Sequence, residues 1–185
     1  VAADMKVIVA LPGAWVKWHG EGEPVEINAK KMRGELSYGM ICGATEVYLD
    51  KFFPPLDDHE IVDLKGVECY PGQNIADVIC MNDTVIEIDN KSLTNRPDLW
   101  GHYGIAREIS AIYKLPEVKL DNNLPEYQVE IQDEKKCQRY VAIEIDNVYE
   151  KQSPMWMQSL LVNAGMRPIN AIVDITNYVM MAVGQ

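Results

Sequence analysis

Residues 92–113, SLTNRPDLWGHYGIAREISAIY, join a sharp turn to an amphipathic helix and decide how the middle of the chain folds. Pro97 fixes its own φ and has no N–H to lose, so it suits the first helical position. Asp98 follows in the first turn, where a negative charge meets the positive end of the helix dipole. The sequence therefore predicts a helix that begins at Pro97, is stopped by Pro116, and carries one apolar stripe of Ile105, Ala106, Ile109, Ile112 and Tyr113.

Two glycines, Gly101 and Gly104, lie within this pattern. Each weakens a helix by up to about 1 kcal/mol relative to alanine. A glycine kept at such a cost usually has a packing reason. We therefore expect something to pack close to the helix backbone at both positions.

The stretch before this helix, residues 5–88, has the pattern of short β-strands. MKVIVAL is typical of a buried strand, and glycines punctuate VEINAKKMRGELSYGMICGATEVYL. PGQNIADVI and the alternating DTVIEIDN complete the series. Many short strands with regular glycines favour a small barrel or sandwich, of which about half is visible here.

The stretch after the helix predicts a second unit. PEVKLDNNLPEY is a polar, proline-flanked linker. YQVEIQD and YVAIEIDNV are predicted strands, and the second alternates as a half-buried strand does. Ser153-Pro154 predicts a helix start, with an inner face of Trp156, Leu160, Leu161 and Ala164. A last helix is predicted in INAIVDITNYVMMAVGQ, with Ile172, Ile175, Val179 and Val183 on one face.

Composition limits the function classes. The chain has 185 residues and a net charge of −11, which argues against general nucleic-acid binding. The acidic excess is concentrated in residues 51–95, so any RNA contact is expected to be local, at Lys30, Lys31 and Arg33. The alternative that these are ordinary solvated cations stays open.

Cysteine, histidine and motif spacings give no sign of a metal site or a catalytic site. The four cysteines form no CxxC and the three histidines stand alone, so we expect no metal, no disulfide framework and a reducing cytosol. No phosphate-binding loop, GxSxG or HExxH occurs. We also expect no signal peptide and no membrane span, and the missing initiator Met suggests an excised or processed chain.

The last helix carries polar residues in an otherwise apolar setting: Asn170, Asp174, Thr176 and Asn177. Buried polar groups must find hydrogen-bond partners. Two interpretations remain open for these four, because such groups either line a pocket or bond within the fold.

Two long segments resemble the bacterial phenylalanine–tRNA ligase β-subunit family. They are NRPDLWGHYGIAREISAIY and SPMWMQSLLVNAGMRPINAIVDITNYVMMAVGQ. VALPGA, KKMRGELSYGMIC and DTVIEIDNKSLTNRPD are similar to family landmarks in the same order. Five ordered blocks make a specific resemblance, and they cover almost the whole chain as an N-terminal fragment of that subunit.

The resemblance implies an α+β chain of three parts. Residues 1–88 would be the C-terminal part of an OB-type tRNA-binding domain, hence a partial β-barrel. Residues 89–124 would be a helical connector, the returning half of a small N-terminal domain, followed by a linker. Residues 125–185 would begin an α/β editing domain of the B3/B4 type.

The resemblance also implies the function. The family attaches phenylalanine to tRNA(Phe) with ATP and Mg²⁺ at a site on the α subunit of an α2β2 heterotetramer, so this chain would bind neither cofactor. Thr176 and Asn177 match the Thr-Asn that lines the family's editing pocket, where tyrosine mischarged onto tRNA(Phe) is hydrolysed. No catalytic residue of the family falls in this sequence. The expected partners are the α subunit, tRNA(Phe) and the rest of the β subunit, and the expected location is the cytoplasm.

Two other functions stay open at this stage. One is a non-catalytic tRNA-binding or assembly module with an OB-type domain. The other is a free-standing editing hydrolase, which the family's pocket histidine argues against, because it has no counterpart in this sequence.

Overall fold

The structure is a computed structural model that describes residues 2–57, 59–120, 127–149 and 151–184. The chain forms two compact units. The first contains the residues up to Asp89 together with Ser153–Tyr178, and the second contains Asn90–Gln152 together with the residues from Val179 onward. Within these ranges, short antiparallel strands and four α-helices confirm the mixed α and β composition.

The strands of the first unit are two or three residues long. They are β1 (Val9–Ala10), β2 (Trp15–Val16), β3 (Val25–Glu26), β4 (Lys30–Met32), β5 (Glu35–Ser37) and β6 (Met40–Ile41). β1 pairs with β6, β2 with β3 and β4 with β5, all antiparallel. Isolated bridges at Val7–Asp63 and Gly43–Ile61 extend the pairing. The described residues form no closed barrel.

One apolar core holds this unit together. It is built from side chains of the early strands and of the segments that follow them: Ile8, Ala10, Val16, Cys42, Ala44, Leu49, Phe52, Val62, Leu64 and Ile79. Ile8 and Ala10 point inward while Val9 and Leu11 are exposed, so the first strand is half-buried rather than fully buried as its apolar run predicted. Burial raises the pKa of the Cys42 thiol.

The remaining part of the first unit is helical. α1 (Ile75–Val78) begins after Asn74, whose side chain accepts a hydrogen bond from the Ala76 N–H. The prediction of a strand at PGQNIADVI was therefore wrong, because this cap turns the chain into a helix. α3 (Met155–Asn163) and the first residues of α4 (Ala171–Val183) belong to the same unit.

The inner face of α3 also differs from the sequence prediction. Trp156 and Leu160 are exposed, whereas Gln158 and Ser159 are buried with Leu161. The Ser159 hydroxyl donates to the Cys80 carbonyl at 2.8 Å, which draws that side of the helix inward. Met155 and Val162 pack against the apolar core.

Three predicted strands are absent among the described residues. DTVIEIDN, YQVEIQD and YVAIEIDNV contain no strand, and their apolar side chains are largely exposed. An alternating sequence specifies which face a strand would bury, but a strand forms only where a neighbouring strand completes its hydrogen bonds. The described residues supply no such neighbour here.

In the second unit the predicted helix begins later than Pro97. Residues Pro97–Leu99 form a 3-10 turn with Pro97 at its first position, and α2 (His102–Tyr113) starts after Gly101. The helix ends when Lys114 enters the left-handed region at φ 56°, before Pro116 is reached. No helix of the described residues is both long and apolar enough to cross a membrane.

Candidate functional site

The candidate RNA-binding residues lie on a β-hairpin. Arg33 and Gly34 form its two-residue turn, and both have positive φ, 51° and 94°, as the tight turns that match strand twist require. Lys31 pairs with Leu36 and Lys30 with Ser37. Because side chains alternate along a strand, Lys30 and Lys31 lie on opposite faces of the hairpin. All three cations are exposed, but a ligand that lies on one face of the hairpin can contact only one of the two lysines.

The start of α4 is fixed by its own polar residues. Asn170 accepts a hydrogen bond from the Val173 N–H at 3.0 Å and so serves as the N-cap. Asp174 is fully buried, with 0% of its surface exposed. Its Oδ1 accepts from the Ile169 N–H at 2.8 Å, and its Oδ2 accepts from the Ser153 hydroxyl. Asn170 and Asp174 thus bond within the fold, as one of the two interpretations held.

A further hydrogen bond holds Ser153, the partner of Asp174, in place. The Gln158 side-chain amide donates to the Ser153 carbonyl at 2.6 Å, and both residues are buried. Sequence reasoning assigned Ser153 as a helix cap, but its hydroxyl goes to Asp174 and Pro154 is the N-cap residue of α3. Only the fold reveals this pairing, since the two residues are 21 positions apart.

Thr176 and Asn177 behave differently from Asn170 and Asp174. Thr176 is exposed, and its hydroxyl donates to the Val173 carbonyl at 2.7 Å, so the lone pairs on its oxygen remain available to an incoming donor. Asn177 is half-buried, and no hydrogen bond of its side chain occurs among the described residues. Ile172 and Ile175, each about half-exposed, flank Thr176 on the outward side of the helix. Thr176 is therefore open to solvent, and Asn177 is partly so.

The Asn-Arg-Pro-Asp turn of the second unit holds an ion-pair cluster. Arg96 makes two bonds to Asp98, Nε–Oδ1 at 3.0 Å and Nη2–Oδ2 at 2.9 Å, and a third to Glu108 Oε2 at 3.0 Å. The hydrogen bond from Arg96 lowers the pKa of Asp98, and the carboxylates raise the pKa of Arg96. The motif residue Arg96 is thereby committed to carboxylates of its own unit.

At both glycines of this unit, another stretch of backbone lies too close to leave room for a β-carbon. A β-carbon at Gly104 would overlap the carbonyl oxygen of Asp98. A β-carbon at Gly101 would overlap the backbone of Val183 and Gly184. His102 Nδ1 lies 2.8 Å from the Met181 carbonyl oxygen in the same region. The expectation of close packing is confirmed, and the packing partners belong to the chain itself.

A cavity of about 350 Å³ opens beside this turn. Its walls carry mainly charged groups, among them Arg96, Asp98, Arg107, Glu108 and Glu117. Arg96 donates three hydrogen bonds to Asp98 and Glu108 through Nε and Nη2, and the Arg107 guanidinium lies 5.7 Å from the centre of the Tyr103 ring. The carboxylates of Asp98, Glu108 and Glu117 line the same cavity and disfavour an anion there.

Within the part of the chain that the structure describes, no group of three or more His, Cys, Asp or Glu side chains could hold a metal ion. His19 and His59 approach each other at 6.0 Å between ring centres, but as an edge-to-face aromatic contact. The four cysteines are free thiols. The chemistry available at the candidate sites is accordingly hydrogen bonding and charge.

Comparisons with known proteins agree on one family. Residues 136–185 match the family model of the B3/4 domain. The phenylalanine–tRNA ligase β subunit of Solibacter usitatus is 42% identical over 168 residues, which cover 86% of this chain and 20% of that protein. Those of Streptococcus mutans and Latilactobacillus sakei are each 36% identical over all of this chain and 23% of their own length.

The chain spans about a fifth of the length of these relatives. Identity of 36–42% along 86–100% of the chain far exceeds what a shared fold alone requires, and the three relatives are the same subunit. The chain belongs to the phenylalanine–tRNA ligase β-subunit family.

Proposed function

We propose that the chain is part of a phenylalanine–tRNA ligase, the enzyme that attaches phenylalanine to tRNA(Phe) using ATP. Its share of that work is tRNA binding, subunit architecture and one wall of an editing pocket. The observation that carries this proposal is the match to β subunits over the full chain, together with the outward placement of Thr176. The assembly would be a cytoplasmic α2β2 heterotetramer with tRNA(Phe) as its substrate.

The early strands are proposed to be the later part of an OB-type domain. Short antiparallel pairs around one apolar core support this, as do the three early segments that pair with one another through β1–β6 and the two isolated bridges. OB-type domains bind single-stranded nucleic acid on an exposed strand surface with cationic side chains. The exposed hairpin of β4 and β5 carries three cations within four residues and suits such a contact.

Charge reversal tests the RNA contact. We expect Lys30→Glu, Lys31→Glu and Arg33→Glu to weaken tRNA(Phe) binding, because phosphate contacts depend on cations and release counterions. Since the two lysines face opposite sides, one of them should matter more than the other. Lys65→Glu, an exposed lysine elsewhere in the same unit, is the matched control. Affinity that is insensitive to these changes and to moderate salt would refute the contact.

The editing role of Thr176 and Asn177 has a physical motive. An apolar pocket shaped for phenylalanine rejects an isostere with an added hydroxyl by only about 10²-fold, so tyrosine is attached in error and must be removed at a second site. A second site needs polar groups that face the amino acid. Thr176 offers an acceptor and Asn177 an uncommitted amide on a helix whose neighbours are apolar.

Hydrolysis of tyrosine-charged tRNA(Phe) by the complete enzyme tests this role. Thr176→Val keeps the shape and removes the hydroxyl, and we expect it to slow hydrolysis by roughly tenfold, the worth of about one hydrogen bond. Thr176→Ser keeps the hydroxyl and is the control. Charging with phenylalanine should be unchanged in both variants. Equal hydrolysis by the valine and serine variants would exclude Thr176 from the pocket.

ATP and Mg²⁺ are proposed to act elsewhere in the enzyme, at the α-subunit site. Mg²⁺ is normally held by carboxylates together with nucleotide phosphates. The sequence of this chain holds no phosphate-binding loop that would cradle the nucleotide. No step of charging is assigned to its residues.

A further inference from the structure

Asp174 is a buried carboxylate without a cationic partner among the described residues. It has no exposed surface, and its two hydrogen bonds come from a hydroxyl and a backbone N–H. Burying a carboxylate is costly unless its oxygens are hydrogen-bonded. The two hydrogen bonds that satisfy Asp174 also connect segments of the chain that are far apart in sequence.

The arrangement that Asp174 fixes is the junction of two helices. Ser153 immediately precedes Pro154, the N-cap residue of α3, and Ile169 lies two residues before α4. One carboxylate receives a hydrogen bond from each of these segments. Gln158, on α3, closes the network through the Ser153 carbonyl. The start of α4 is therefore tied to the start of α3 through a single side chain.

This tie also sets how α4 is rotated. Residues on an α-helix advance by about 100° each, so Thr176 lies about 200° around the helix from Asp174 and close to Ile172. Drawing Asp174 inward necessarily turns Thr176 outward. Asn177, three residues after Asp174, falls at the boundary and is half-buried.

Apolar burial within the described residues does not by itself account for this rotation. Ile172 and Ile175 are 53% and 50% exposed, while the aspartate between them is wholly inside. Burial of apolar side chains is the main driving force that orients a helix. In this unit the observed rotation is therefore upheld by the hydrogen bonds to Asp174.

We infer that Asp174, with Ser153 as its partner, is a positioning residue that holds Thr176 and Asn177 in place for the amino acid to be hydrolysed. This inference rests on the proposed editing function. Asp174 itself is out of reach of any ligand, because it has no exposed surface. It acts through the rotation of α4, in the way that supporting residues commonly orient the groups of a site.

The test uses the complete β subunit assembled with its α subunit and tRNA(Phe) charged with tyrosine. Asp174→Asn and Ser153→Ala should each lower kcat for hydrolysis by roughly 10- to 100-fold, the usual result of displacing a site by about 1 Å. Ser153→Thr keeps the hydroxyl and should restore hydrolysis. Because both residues belong to one network, the double variant Asp174→Asn with Ser153→Ala should be no worse than the more damaged single variant.

Two further readouts separate positioning from a general loss of structure. Charging with phenylalanine by the same preparations should be unchanged, and amide hydrogen exchange should accelerate only around residues 169–178 in the variants. Unchanged hydrolysis in the Asp174→Asn and Ser153→Ala variants overturns the inference. So does a parallel loss of charging and hydrolysis, or additive losses in the double variant.

Failure of the proposed function has a different signature. If the unaltered enzyme does not hydrolyse tyrosine-charged tRNA(Phe), the editing role falls, and the positioning role falls with it. If the unaltered enzyme and the Thr176→Val variant behave as expected while Asp174→Asn is fully active, only the positioning role is overturned.

Discussion

Asp174 in the first unit and Asp98 in the second both lie in the first turn of a helical segment, but the protein satisfies their charges by opposite means. Asp174 is enclosed and bonded to neutral donors. Asp98 is half-exposed and paired with the guanidinium of Arg96, two residues before it. In the sequence the two cases look alike, because each is an aspartate near the start of a predicted helix.

This difference between a buried network and an exposed ion pair indicates which contacts stabilise each unit. An exposed ion pair gains little, because water screens it and competes for both partners. A buried network loses the full desolvation cost of any group left without a partner. The first unit should therefore depend strongly on its polar contact, and the second should depend on the close backbone packing at Gly104 instead.

The largest expected effect comes from removing the buried carboxylate. Asp174→Ala leaves the Ser153 hydroxyl and the Ile169 N–H without partners, and we expect the free energy of unfolding to fall by about 2–4 kcal/mol. Urea denaturation followed by circular dichroism measures this loss. Asp98→Ala is the matched control and should cost far less. If Asp174→Ala and Asp98→Ala lowered the free energy of unfolding equally, the proposed difference between the two aspartates would be wrong.

A smaller effect is expected at Gly104. In an ordinary helix position Gly→Ala stabilises by up to about 1 kcal/mol. Here the added carbon would meet the Asp98 carbonyl, so Gly104→Ala should instead destabilise by about 1–3 kcal/mol. Ala111→Gly, on the exposed part of the same helix, controls for propensity and should lose only about 1 kcal/mol. A stabilising Gly104→Ala would show that close packing is not what holds the turn.

The smallest effect concerns the ion pair. Arg96 holds the pKa of Asp98 below its ordinary value of 3.8, so the pair stabilises the fold above that pH and the contribution disappears as the pH falls through the lower folded-state pKa. Melting curves from about pH 6 to about pH 2 should therefore show a difference between the protein and Asp98→Asn only at the upper end. Added salt should shrink that difference. A difference that grows toward acid pH would contradict the pairing.

The sequence predicted the helices better than the strands. The apolar spacing after residue 101 and the Ser-Pro start of α3 located α2 and α3, and the terminal pattern located α4. Helical hydrogen bonds are local, so a segment carries most of its own instructions. YVAIEIDNV and DTVIEIDN have good strand patterns, but their outcome depends on partners that a local pattern does not name.

The sequence predicted which residues form the candidate site, but not which of them face outward. The resemblance marked Thr176 and Asn177, and the polar residues of the last helix were visible from composition alone. Which of them turn inward depends on Ser153 and Ile169. Ile169 is only five residues from Asp174, but Ser153 is 21 residues away and meets it only in the folded chain. Periodicity grouped the isoleucines on one face of the helix, but it takes no account of the hydrogen bonds that draw Asp174 inward.

The hairpin tip carries a trade-off of its own. Arg33 adopts a left-handed backbone conformation, at φ 51°, that asparagine or glycine tolerates better and that costs other residues about 1 kcal/mol or more. An Asn-Gly tip would suit the same bend at lower cost. Arg33→Asn should therefore have opposite effects on two properties of the protein. Its melting temperature should rise, while the hairpin offers one positive charge fewer to a polyanion.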